Sequence, residues 1–155
     1  MPAVVFLGDS LTAGYGLDPD QAYPALIQRK IDEAGLRYRV VNAGVSGETS
    51  AGARRRVEWL LSPPVAVVVV ETGGNDGLRG QDPGATAANI QAIIDRVRSQ
   101  PSPPKVVLMG LHEAYRALIA SCASRLLTEP CVQLRQHLHD RGSPTAAPKG
   151  VPCRD

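Results

Sequence analysis

Positions 65–70 read Val-Ala-Val-Val-Val-Val, five β-branched residues in six places with no polar alternation. A strand of that composition leaves no face for water, so both faces need cover. Such runs belong to the middle of parallel sheets, and parallel strands require crossover connections, usually helices. At 155 residues the chain is long enough for one domain with a sizeable core.

The neighbouring segments supply the expected strands and helices. Val4-Val5-Phe6-Leu7 is a second uninterrupted apolar run, entered by Ala3. Pro24 suits a first helical turn, and Leu26, Ile27, Lys30 (through its stem), Ile31 and Ala34 share a face before Gly35 stops it. Arg37 to Val41 reads as a strand ending in Asn42-Ala43-Gly44. Ser50 is placed to cap a helix with Ala53, Val57, Leu60 and Leu61 on its apolar side, ended by Ser62-Pro63-Pro64. After the valine run, Ile90, Ile93, Ile94 and Val97 have i, i+3, i+4, i+7 spacing. Val106 to Met109 is a fourth strand. Strand and helix alternate throughout, which predicts a doubly wound α/β fold with a parallel sheet.

Beyond Gly110 the pattern weakens. Residues 112–127 have helical spacing, residues 131–134 are the one candidate for a fifth strand, and 141–155 are rich in Gly and Pro without an apolar period. A final strand and closing helix therefore have little support in the sequence.

Composition removes several function classes. A net charge of +2 spread along the chain implies no nucleic-acid surface, and six aromatic residues make a poor stacking platform. Arg54-Arg55-Arg56 is the one basic cluster and reads as a solvated helix face. Cys122, Cys131 and Cys153 are odd in number and irregularly spaced, which argues against a disulfide framework and a metal site. No 18-residue apolar run exists, so no membrane span is expected. Nor does a basic leader precede an apolar stretch. As written, the protein is expected to be cytoplasmic, whereas a chain begun at a processed N-terminus would be periplasmic or secreted. No G-x-G-x-x-G or G-x-x-x-x-G-K-[ST] pattern is present, so nucleotide binding has no motif and no cofactor is expected.

Parallel strands bring their carboxyl ends to one rim, where open α/β sheets bind ligands. The residues following successive strands here are Gly8-Asp9-Ser10, Asn42-Ala43-Gly44 and Gly74-Asn75-Asp76. Ser10 offers a hydroxyl for nucleophilic attack. The N–H groups of Ser10 and Gly44, with the Asn75 side-chain amide, offer donors for a developing oxyanion. Each fragment also has a plainer reading. Asp9 and Ser10 suit a helix cap, Gly44 suits a turn, and Gly73 to Asp76 suit a tight turn bonded to its own backbone.

The strings GDSLTAGYGL, VVNAGVSGETSAG and ETGGNDGLRG occur in that order. They resemble the first three signature blocks of the SGNH, or GDSL, hydrolases, in the bacterial arylesterase/thioesterase I/lysophospholipase branch. The resemblance covers residues 3–109 and treats 1–155 as one domain with a divergent part from 111 onward. It implies a three-layer α/β/α sandwich with a flavodoxin-like parallel sheet. It also implies a serine ester hydrolase for small or medium acyl esters and thioesters, with Ser10 as nucleophile and Ser10, Gly44 and Asn75 as oxyanion hole. The family's fourth block is an Asp-x-x-His near the C-terminus, and no Asp-x-x-His occurs in this sequence. The nearest echo, Asp140-Arg141-Gly142-Ser143-Pro144-Thr145-Ala146-Ala147, has serine in the histidine's place. That puts Asp140 in the aspartate's position and leaves His139, or His137, to serve as base; His112, directly after the fourth strand, is the poorest candidate. A chain in which neither serves would be a binding module or an impaired enzyme.

Overall fold

The chain begins in the middle of its sheet and builds outward in both directions. The computed structural model describes residues 1–62 and 64–110. Four parallel strands, β1 (Ala3–Gly8), β2 (Arg39–Gly44), β3 (Val65–Glu71) and β4 (Lys105–Leu108), lie in the order β2-β1-β3-β4. Five helices connect them: α1 (Ser10–Ala13), α2 (Tyr23–Glu33), α3 (Ser50–Leu60), α4 (Gly74–Leu78) and α5 (Pro83–Arg98). Among these residues no helix is long and apolar enough to cross a membrane. The helix expected over 112–127, the strand candidate at 131–134, the 141–155 tail and His112, His137, His139 and Asp140 all lie outside the described residues.

Strand alternation sorts the two layers of helices. Leu7, Val68 and Val70 point to one face and pack with Ala53 and Val57 of α3 and Ile93 and Val97 of α5. Phe6, the next residue back from Leu7, points to the other face, where its ring meets Tyr23 of α2 edge-on at 5.4 Å. The expected doubly wound arrangement is therefore present, with β1 and β3 as its covered inner strands. Each fully buried aliphatic side chain in this core stabilises the fold by roughly 1.5–3 kcal/mol.

Two local expectations are corrected. Leu26, assigned to the buried face of α2, is 41% exposed. Instead α2 meets the edge strand through Gln28, whose Oε1 accepts the Val40 N–H at 2.6 Å and whose Nε2 donates to the Tyr38 carbonyl. An edge strand has backbone groups without a ladder partner, and a side-chain amide satisfies them here. Ser50 does not cap α3 from outside. It is the fully buried first residue, and the Asp76 carboxylate accepts both its N–H (2.8 Å) and its hydroxyl (2.6 Å). The cap thus arrives from the end of β3.

The strand order reverses between β1 and β3: the chain moves from β1 to β2 on one side, then crosses back to β3 on the other. That reversal opens a crevice at the carboxyl ends of the two inner strands.

Candidate active site

Register brings the strand ends level. Gly8 of β1 is paired with Gly44 of β2 on one side and Glu71 of β3 on the other. Beyond Gly8 the chain turns at once into α1, with Asp9 as its N-cap: Asp9 Oδ1 accepts the Leu11 N–H at 2.9 Å. The cap reading of Asp9 is therefore correct. Ser10 is the first helical residue, half-buried, and its hydroxyl has no hydrogen-bond partner among the described residues. Its N–H, at the start of a helix, has no carbonyl behind it to bond.

Asn75 reaches the same place from the far side. It sits in α4, and its Nδ2 donates to Asp9 Oδ2 at 3.2 Å and to the Glu48 carbonyl at 2.9 Å. Asp76 is buried and bonds Ser50 and Thr86 rather than its own backbone. The tight-turn reading of Gly73 to Asp76 gives way to a cross-link between the ends of β1, β2 and β3. Asp9 and Asn75 are 66 residues apart and in direct contact.

Gly44 is placed differently from its expected use. It belongs to β2, its N–H donates to Asn42 Oδ1 at 2.9 Å, and a Cβ there would stand 2.2 Å from the Ala13 nitrogen. The close approach that needs glycine is to the backbone of α1. Three residues on, Gly47 has φ +78° inside a turn closed by the Glu48 N–H on the Val45 carbonyl. That backbone favours glycine. The Gly47 carbonyl accepts Arg79 Nη2 at 2.8 Å, and its N–H has no partner among the described residues.

Behind the Asp9-Ser10 turn lies a polar group that the motifs did not single out. Glu71 is 2% exposed; its Oε2 accepts the Thr12 hydroxyl at 2.7 Å and the Asp9 N–H at 3.3 Å. Because Thr12 gives its proton to Glu71, it accepts from the Tyr23 hydroxyl at 2.7 Å. Burial, reinforced by the nearby Asp9 charge and opposed by the Thr12 hydrogen bond, raises the Glu71 carboxyl to about 7. Burial likewise pushes the Tyr23 phenol up to about 12. Glu71 Oε1 is buried without a hydrogen bond among the described residues.

A carboxyl raised on folding binds its proton more tightly in the folded state, and its stabilising contribution is complete below the ordinary carboxylate range. It is lost as pH rises through about 7. Thermal midpoints are therefore expected to fall between pH 5 and pH 8, and Glu71→Gln, neutral throughout, is expected to remove that part of the slope. An unchanged slope in the variant would dismiss Glu71 as the titrating group.

A family model described as GDSL-like lipase/acylhydrolase matches residues 6–149. The chain belongs to that family. Among curated relatives, esterase TesA of Pseudomonas aeruginosa is 42% identical over 110 residues, covering 70% of this chain and 54% of that protein. Thioesterase 1/protease 1/lysophospholipase L1 of Escherichia coli is 37% identical over 113 residues, covering 72% and 53%. The chain thus spans about half the length of the curated relatives it matches. A crystal structure of TesA superposes with a TM-score of 0.71 at 36% identity, covering 79% of this chain and 73% of that one. The GDSL family assignment agrees with the resemblance read from the three strings. Around this site, Glu71 and Gly47 are the residues that the motifs did not single out. The signal for Glu71 was a lone acid closing an all-apolar strand, where burial without a partner is costly.

Proposed function

We propose that this chain is a serine ester hydrolase for small or medium acyl esters or thioesters, with Ser10 as nucleophile. The observation that carries the reading is the joining of Asp9-Ser10 to Asn75 across the reversal point, with the Ser10 hydroxyl unengaged among the described residues. Ser10 Oγ attacks the acyl carbonyl, the leaving group departs as the acyl-enzyme forms, and water then releases the acid.

The oxyanion is assigned to the Ser10 N–H, a glycine N–H from the segment after β2, and the Asn75 side-chain amide, which keeps its 2.9 Å bond to the Glu48 carbonyl and turns the proton now on Asp9 Oδ2 (3.2 Å) to the substrate oxygen. Gly44 was the expected third donor, but its N–H is spent on Asn42. Gly47, whose N–H is unpaired among the described residues and whose neighbour Glu48 holds Asn75, fits that task better. Donors aimed at the developing charge contribute about 10²- to 10³-fold each in serine hydrolases. His139 is proposed as base and Asp140 as the group that orients it, with His137 as the alternative base. Names of relatives (esterase, thioesterase, lysophospholipase) support acyl ester chemistry for this chain.

Incubation with a short-chain chromogenic ester tests the reading. Turnover well above the buffer rate is expected, with multiple product equivalents per protein. A product yield that stays at the buffer rate would leave a ligand-binding module without a competent base.

A further inference from the structure

Arg56 was read as one of three solvated arginines. Arg54 and Arg55 are exposed, but Arg56 turns inward. Its Nε donates to Glu48 Oε1 and its Nη2 to Glu48 Oε2, both at 2.6 Å. The same Nη2 reaches the Ala43 carbonyl at 2.5 Å and the Gly8 carbonyl at 3.5 Å. The Arg56 and Glu48 side chains are 19% and 10% exposed. One guanidinium therefore spans the carboxyl ends of β1 and β2 and the turn that follows β2.

Glu48 passes this restraint to the site. Its carbonyl accepts Asn75 Nδ2 at 2.9 Å, and its N–H closes the turn that contains Gly47. The pair also has room made for it. A Cβ on Gly52, in the first turns of α3, would lie 2.8 Å from Glu48 Cγ. Glycine inside a helix costs roughly 1 kcal/mol relative to alanine, and here it lets the Glu48 side chain lie against α3.

We propose that Arg56 is a positioning residue that, through Glu48, sets the Asn75 amide and the Gly47 turn for oxyanion binding. The consequence for catalysis rests on the hydrolase reading above; the placement of the two groups does not. A planar guanidinium holds both carboxylate oxygens and still reaches two carbonyls, whereas an ammonium cannot reproduce that fork. Misplacing catalytic donors by about 1 Å costs on the order of 10²-fold in rate.

The test compares Arg56→Gln, Arg56→Lys and Gly52→Ala with the unaltered chain. In a chain that hydrolyses the chromogenic ester, kcat is expected to fall about tenfold to hundredfold, with KM little changed. Arg56→Lys should recover only a small part. Gly52→Ala, which helix propensity alone would make harmless or stabilising, should lower kcat in the same way. Amide resonances give the second readout: the Asn75 side-chain pair and the Gly47 N–H should move in all three variants, while those of Ile93 and Val97 stay fixed. Arg56→Lys and Gly52→Ala keep the comparison available if Arg56→Gln does not fold. Folded variants with unaltered kcat, or with unmoved Asn75 and Gly47 resonances, would overturn the proposal. Moved resonances in a chain with no ester turnover would instead uphold the positioning and remove the hydrolase reading.

Discussion

Ser10→Ala is expected to lower ester turnover by about 10³-fold or more, leaving the fold intact. The size follows from covalent catalysis: without Oγ no acyl-enzyme forms, and only the oxyanion donors and substrate binding remain. The fold is spared because the Ser10 hydroxyl makes no hydrogen bond among the described residues, and the helix cap belongs to Asp9. Rates measured beside the unaltered chain, together with equal thermal midpoints, check both halves. Equal rates would remove Ser10 from the chemistry, whatever the fold.

Gly8→Ala is expected to have the largest effect on stability. A Cβ at that position would stand 1.9 Å from Thr12 Oγ1, 2.6 Å from Thr12 Cβ and 2.7 Å from Glu71 Oε2. All three belong to the buried chain of hydrogen bonds from Tyr23 through Thr12 to Glu71. None is the free end of a flexible side chain, so α1 must lift or β1 must separate from β3. Overpacking of this kind costs roughly 1–3 kcal/mol, a fall of roughly 2–12 °C in thermal midpoint for a chain of this length. Moving α1 also moves Ser10, so turnover should drop even below the transition. Unfolding curves checked by circular dichroism, with activity at a temperature where the variant is still folded, separate the two losses. A midpoint within a degree of the parent would mean that the Thr12–Glu71 contact yields without cost.

The parts of the fold that were legible were those in which burial and period coincide. Ile90, Ile93, Ile94 and Val97 lie on one helical stripe, and all four are buried. The valine run occupies an inner strand, as its composition required. Legibility failed where polar groups do the packing. Gln28 joins α2 to the edge strand, and no apolar spacing announces such a contact.

The candidate site followed the same rule. Ser10 and Asn75 stand at strand ends with distinctive chemistry, and topology made their meeting foreseeable. A glycine's letter does not reveal its φ, nor whether its N–H is occupied. Gly44 and Gly47 were therefore indistinguishable until the Asn42 contact and the turn geometry separated them. Arg56 was hidden among its neighbours for a simpler reason. Three consecutive helical residues point roughly 100° apart, so at most part of a basic triplet faces water, and the sequence does not say which member turns in.

The ends of β1 and β3, with the turn after β2, are proposed to make an activated serine site at Ser10. Its most direct test is the mass of the intact chain after reaction with a fluorophosphonate, followed by peptide mapping. One phosphonyl group per chain, carried on Ser10, is the expected result. An unmodified chain, or a label on any other residue, would contradict it.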